Sequence, residues 1–172
     1  AAPLEAHWSR LVEAMGNPDW ARAPQFESGA ARTANCLELH RRLTEWTLTV
    51  TAKGGHSSGI FTPAAGAGAI YELARIVHSF RRELPEPNLT YNVGLVGGGD
   101  SAKLGADRIR ITATGKTNII ASTAIARGDM RALSTEQIPR TQEKMRAIVA
   151  RPLPGASAKI EFHPDGYPPM AP

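Results

Sequence analysis

Trp46-Thr47-Leu48-Thr49-Val50-Thr51-Ala52-Lys53-Gly54-Gly55-His56-Ser57-Ser58 alternates apolar and polar residues and then runs into a glycine-rich loop. Trp46, Leu48 and Val50 fall two apart and share one face, the period of a half-buried strand over Glu45 to Thr51. Beyond the loop, Ala67 to Leu84 carries Ile70, Leu73, Ala74, Val77 and Phe80 on one stripe, which predicts a long helix ended by Pro85 and Pro87. Leu89 to Val96 alternates again as a strand, closed by Gly97-Gly98-Gly99, and residues 100 to 117 are polar and mixed, as in an exposed excursion or hairpin. Asn118 to Met130 reads as another strand. Thr135 to Ala150 reads as a second amphipathic helix with Ser134, Thr135 and Glu136 as its cap, and Ala158 to Phe162 as a last strand. Strand, helix, strand, strand, helix, strand is the order of an α+β, ferredoxin-like βαββαβ sandwich: a four-stranded antiparallel sheet with two helices on one face.

Upstream of this unit, Leu4 to Met15 places Leu4, Trp8, Leu11, Val12 and Met15 at helical spacing, and Gly16-Asn17-Pro18 stops the run. A Pro- and Ala-rich passage leads to Phe26-Glu27-Ser28-Gly29, after which Thr33 to Arg42 alternates as a strand. Residues 1 to about 42 lie outside the sandwich and read as a piece of something larger. The missing initiator Met and the lack of a final element before Pro172 suggest that both ends are cut from a longer chain.

The charge of the chain is less informative than its arrangement. A net +4 and a pI near 9.6 would permit binding to polyanions. The basic residues are dispersed, however, with Arg41-Arg42 and Arg81-Arg82 the densest pairs, and no aromatic platform is interleaved with them, so nucleic acid is not the expected partner. No run of about eighteen apolar residues is present to span a membrane, and Ala1 to Glu5 has neither the basic stretch nor the apolar core of a signal peptide. Cys36 is the only cysteine, which excludes an intramolecular disulfide and a Cys-rich zinc site but leaves the compartment open.

Three side chains suit the binding of an oxyanion and a carboxylate: His56, Asn118 and Arg131. Each has a plainer reading. His56, in its permissive glycine-rich loop, can be a surface residue; Asn118 can be a turn residue; Arg131, two positions after Asp129, can be half of a structural ion pair. Other signals fail. Gly115-Lys116-Thr117 resembles the end of a phosphate loop, but position 110 is Arg where that loop needs Gly, and no helix directly follows the glycine run at 97 to 99. His163-Pro164-Asp165 has metal-like spacing but sits alone in a Pro-rich tail. No His-Glu-x-x-His occurs, so a self-sufficient zinc hydrolase is not expected.

Taken together, the stretch from Trp46 to Ser58, the helix from Ala69, the Asn118-Ile119-Ile120 strand and Asp129-Met130-Arg131 resemble the lid, or dimerisation, domain of the dizinc exopeptidases. That family includes bacterial glutamate carboxypeptidase, aminoacylases and succinyl-diaminopimelate desuccinylase. The likeness covers roughly residues 44 to 165, and the thirteen positions from Asn118 to Arg131 match the family's interval. Ala121 departs from the family's usual Pro.

The resemblance implies a lid inserted in a catalytic domain that holds two zinc ions, and a homodimer formed through the lids. His56 would reach across to the partner's active site to polarise the scissile carbonyl, Asn118 would assist at the same oxygen, and Arg131 would take the substrate's carboxylate. A zinc-bound water would be the nucleophile. The substrate would be a small peptide or N-acyl amino acid. Residues 1–43 would be a remnant of the zinc-binding domain, with Glu27 as a metal ligand or an ordinary loop carboxylate, and residues 166–172 a return segment towards it. The other zinc ligands are missing, so this chain alone is expected to bind no zinc and to be inactive. A stand-alone ferredoxin-like binding or regulatory module is the rival reading, since this fold serves many functions.

Overall fold

Alternation along the central strand sets the architecture. A computed structural model describes residues 2–14, 17, 19–35, 43–132 and 136–163. Its helices are α1 (Ala2–Ala14), α2 (Gly29–Ala34), α3 (Ala69–Glu83) and α4 (Gln137–Val149). Its strands are β1 (Leu43–Ala52), β2 (Gly55–His56), β3 (Leu89–Gly99), β4 (Ser101–Leu104), β5 (Ile111–Thr114), β6 (Ile119–Ile120), β7 (Thr123–Ala132) and β8 (Ala156–His163). The main sheet runs β3-β7-β1-β8, antiparallel throughout, with β1 at its centre. This is the expected ferredoxin-like sandwich, in which the strands that a helix connects, β1 to β3 and β7 to β8, are each separated by one other strand.

Trp46, Leu48 and Val50 of β1 and Ala124, Ala126 and Met130 of β7 point to one face and are buried there against Leu73, Ile76 and Phe80 of α3 and Met145, Ile148 and Val149 of α4. Fully burying a side chain of this size contributes about 1.5–3 kcal/mol, so this layer is the main source of stability. The Trp46 ring meets Phe80 edge-on at 5.6 Å and lies over Gly128, where an added Cβ would stand 2.4 Å from the ring and 1.9 Å from the Asn92 carbonyl oxygen. Trp46 Nε1 has no hydrogen-bond partner among the described residues, a cost of about 1–3 kcal/mol that the buried ring offsets. Glu72, wholly buried on α3, is gripped by Arg75 at 2.7 and 2.9 Å and accepts the Leu153 N–H at 3.0 Å, which ties α3 to the turn before β8.

Three local expectations change. The glycines at 97 to 99 do not close β3 but belong to it, paired with Ile125, Ala124 and Thr123. They are needed because the β4–β5 hairpin folds back over the strand: a Cβ at Gly97 would lie 2.5 Å from Ile111, and one at Gly99 would lie 2.3 Å from the Thr114 carbonyl oxygen. The strand read from Asn118 is broken into β6 and β7, because Ala121 and Ser122 turn away to bond elsewhere. The Ala121 carbonyl accepts the first N–H of α3 at 2.8 Å, and Ser122 bridges Gly99 and Ala52 at 3.0 and 2.9 Å. Glu136, read as part of a cap, precedes α4 without a side-chain capping bond, while Ser134 and Thr135 lie outside the described residues.

The N-terminal helix forms as read, whereas Thr33 to Asn35, read as the start of a strand, are not extended. Thr33 and Ala34 end α2, whose start Ser28 caps by accepting the Ala31 N–H at 3.1 Å; residues 36–42 lie outside the described residues. Phe26 to Ser28 form the turn ahead of α2, with Phe26 buried edge-on against Trp20 at 5.5 Å. The cap and the Arg32 side chain, bonded to the Phe26 carbonyl at 2.8 Å and to Glu5 at 2.6 Å, outweigh the weak alternation.

Candidate functional site

The chain leaves the sheet at Ala52, and the next residues form a two-residue ladder. In it Gly55 faces Ile120 and His56 faces Ile119. The Ser57 N–H donates to the Asn118 carbonyl at 3.0 Å, so the two segments are fastened on both sides of the histidine. That pairing sets the His56 and Asn118 side chains together, with Nε2 and Nδ2 3.4 Å apart, both side chains exposed. Ser58 holds the other edge of the ring: its N–H reaches His56 Nδ1 at 3.2 Å and its hydroxyl lies 2.9 Å from the same nitrogen.

Arg131 is elsewhere. It lies eight residues along β7 from Thr123, roughly 26 Å at the rise of a strand. His56 and Asn118 belong to the segments past the opposite end, so the chain unites two of the three candidate residues and separates the third. Arg131 pairs with Asp129 at 2.8 Å, both side chains about 30% exposed. Glu27 stands exposed in the N-terminal bend beside an open cleft of about 440 Å³ lined by Trp8, Val12, Asn17 and Arg22. Among the described residues no group of three or more His, Cys, Asp or Glu is gathered as a metal ion would require. The described residues offer no ligand set for a zinc ion.

A polar cluster that the sequence reading did not single out occupies the sheet face opposite the helices. Arg127, about 10% exposed, bonds the Glu45 carboxylate and the Arg108 carbonyl, and reaches Thr47 Oγ1 at 3.3 Å. Thr47 in turn meets His163 Nε2 at 3.2 Å. Burial, with the Arg108 and Arg127 cations, pushes the His163 imidazole below its ordinary range. The available signal was parity: Glu45 and Thr47 alternate with Trp46 and Leu48, and Arg127, Asp129 and Arg131 alternate with Ala126 and Met130. The cluster pins the hairpin tip, through Arg108, onto the sheet. Pro164 and Asp165, the rest of the His-x-Asp spacing, lie outside the described residues.

The antiparallel sandwich thus brings a histidine and a carboxamide together beside one short ladder. The comparisons give its family. Residues 39–157 match the family model of the peptidase dimerisation domain, and the chain belongs to that family. Solved structures share the fold. A tripeptidase from Staphylococcus aureus superposes with a TM-score of 0.53 at 19% identity, covering 70% of this chain and 28% of that one. A hydantoinase/carbamoylase family amidase from Burkholderia ambifaria superposes with a TM-score of 0.54 at 17% identity, covering 70% and 27%. An aminopeptidase from Bacillus cereus gives 0.50 at 19%, covering 70% and 28%. The chain thus spans little more than a quarter of the length of these proteins.

The N-terminal stretch is similar to something different. Residues 1–58 match the family model of CoA-transferase family III. A formyl-CoA:oxalate CoA-transferase from Rhodopseudomonas palustris is 32% identical over 44 residues, which is 26% of this chain and 10% of that protein.

Proposed function

We propose that the chain is the dimerisation and substrate-clamping part of a longer zinc-dependent metallopeptidase, a glutamate carboxypeptidase-like amidohydrolase acting on N-acyl or peptidyl amino acids. The observation that carries this reading is the meeting of His56 and Asn118 at 3.4 Å on strand-paired segments of a peptidase dimerisation domain. Two such side chains suit the oxygen of an amide carbonyl, where charge gathers as the carbonyl is attacked, and an interaction that strengthens there lowers the barrier. Arg131 is the clamp for the substrate's free carboxylate, which would replace Asp129 in a bidentate pair that Lys could not reproduce. Zinc, in this reading, is held by other parts of the longer protein and supplies the activated water.

The separation along β7 gives the dimer a purpose. A small peptide cannot bridge the roughly 26 Å of β7 from Thr123 to Arg131, with His56 beyond the Thr123 end. Each site would therefore take His56 and Asn118 from one protomer and Arg131 from the other. The β3 edge suits such a pairing better than the β8 edge. Val96 of β3 and Ile70 beside Gly98 are exposed and apolar, whereas β8 carries the exposed charges Lys159 and Glu161, which discourage edge-to-edge pairing. For residues 1–43, the similarity to CoA-transferases favours a source other than a zinc-bearing half, and Glu27 is then an exposed loop carboxylate.

In the longer protein, His56→Ala should lower turnover about a hundredfold or more, with a smaller effect on substrate affinity, as for loss of an oxyanion donor. Unchanged turnover rejects the role. Light scattering on this chain at high concentration should give the mass of a dimer, and a monomer would count against shared sites.

A further inference from the structure

The polar face of the sheet holds the tip of the β4–β5 hairpin by bonds that cannot all survive one added proton. Across that face the register sets His163 opposite Glu45, and Thr47 opposite both Arg127 and Glu161. The Arg127 Nε–H can only donate, so Thr47 Oγ1 accepts it at 3.3 Å. The buried Thr47 hydroxyl then turns its own hydrogen to His163 Nε2 at 3.2 Å. A neutral imidazole with Nε2 bare completes this chain. At its other end Arg127 bonds the Glu45 carboxylate and the Arg108 carbonyl of the tip.

A further proton would sit on Nε2 and point at Thr47 Oγ1, an oxygen that already serves a guanidinium, and the hydroxyl hydrogen would lose its acceptor. The charges are no more favourable. Arg127 from β7 and Arg108 from the tip act on the ring against Glu45 of β1, which stands 4.0 Å from Arg108, and against Glu161 of its own strand, which Lys159 takes at 2.8 Å. Burial and the two guanidinium cations outweigh the two carboxylates and hold the imidazole below its ordinary 6.5. Moving the tip away removes Arg108 and admits water, so the open form takes up a proton more readily than the closed one. By linkage, protonation favours opening.

The stem of the hairpin is fastened independently of this chain. The Ser101 and Thr114 hydroxyls meet at 2.8 Å, and Ile111 lies against Gly97. What the sheet face can let go is therefore the turn between the two strands, which the Gly105 N–H closes onto the Arg110 carbonyl at 2.9 Å.

We propose that residues 105–110 are an acid-released latch: protonation of His163 frees this hairpin tip from the sheet and uncovers Glu45, Thr47 and Arg127. Glu45 stands opposite Asp129 in register, so the uncovered face adjoins the Asp129–Arg131 pair. The latch is closed above 6.5, the ordinary imidazole value, and lets go as the pH falls through the lower value of the closed form.

The test follows the 15N-labelled full chain by backbone relaxation, with the ring nitrogen shifts of His163 reporting its charge. Above pH 6.5 residues 105–110 should have order parameters of about 0.85, as in a rigid backbone. Once the ring is charged these should fall below about 0.6, while β4 and β5 stay rigid. His163→Gln, neutral at every pH, should abolish the change. A tip that stays rigid in wild type while His163 becomes charged overturns the latch, as does a tip that loosens over the same pH range in His163→Gln.

Discussion

The two ends of this chain are held together by different means. From β1 to β8, sixteen fully or nearly buried side chains form one apolar cluster between a sheet and two helices. Among the described residues of the N-terminal unit, up to Asn35, the buried cluster is Val12 and Ala21, with Trp8, Leu11 and Trp20 packed against it. It relies instead on ring contacts, Trp8 to Trp20 at 6.2 Å and Trp20 to Phe26 at 5.5 Å, and on Arg32, which stacks 4.7 Å over Trp8 while it grips Glu5. Units below about 40 residues rarely bury enough surface to stand alone. The difference teaches that the sandwich is self-sufficient whereas the N-terminal piece is not; the peptidase-domain match begins near that boundary, at residue 39, while the CoA-transferase match runs past it to residue 58.

The largest effect should come from filling the one place where the sandwich has no room. A Cβ at Gly128 would collide with the Asn92 carbonyl oxygen and the Trp46 ring, backbone and fully buried aromatic alike, so neither can yield cheaply. Gly128→Ala should cost about 3 kcal/mol or more in chemical denaturation, at or above the upper end for overpacking. In a Trp8→Phe, Trp20→Phe background, Trp46 fluorescence reports the sandwich alone. A loss below about 0.5 kcal/mol would mean that β1 and β7 are not packed as described.

Period-two spacing made the central strand legible, because Trp46, Leu48 and Val50 have to face one way if they are to be buried together. The two long helices were legible for the equivalent reason at their own period. What could not be read was whatever depends on a distant partner. The glycine run belongs to β3 only because Ile111 and Thr114 close over it, and Thr33 is helical only because Ser28 and Arg32 find tertiary and capping bonds. At the site, residue type and loop context marked His56 and Asn118, yet their meeting depends on the β2–β6 ladder, and the distance to Arg131 follows only once β7 is known to be extended. Arg127 went unnoticed because its burial comes from the hairpin tip that folds over it.

A smaller effect tests the sandwich through acid. Glu86, in the turn before β3, is held by Lys144 at 2.9 Å and by Gln137 and Arg140 at 2.7 Å each, which pulls its carboxyl down to about 2 from an ordinary 4.5. Lys144 contributes most. The unfolded chain takes up this proton near pH 4.5 and the folded one only near pH 2, so the stabilisation is complete above about 4.5 and is lost as pH falls towards about 2. With the carboxylate about 15% exposed and its partners near the surface, the contribution should be roughly 1–2 kcal/mol after solvent screening. Melting temperatures of Glu86→Gln and wild type should differ at pH 6 and converge as the pH is lowered through about 4.5 to about 2. A constant difference across that range would place the pH dependence elsewhere.

The smallest effect is the sharpest on the comparison itself. If the sandwich closes its own core, removing residues 1–42 should change its stability by less than about 0.5 kcal/mol, the range of surface changes that touch nothing essential. Trp46 again gives the readout, since its surroundings, Phe80 and Gly128, both belong to the retained part. The midpoint and the slope of the denaturation curve are both needed: if the N-terminal piece unfolds separately, the Trp46 transition keeps both, whereas a lower slope means that surface of that piece was exposed in the same transition. A fall of about 2 kcal/mol or more would mean that the N-terminal rings cover part of the sandwich. The two regions would then form one cooperative unit despite their different likenesses, and the CoA-transferase-like segment would have become part of this fold rather than an attachment to it.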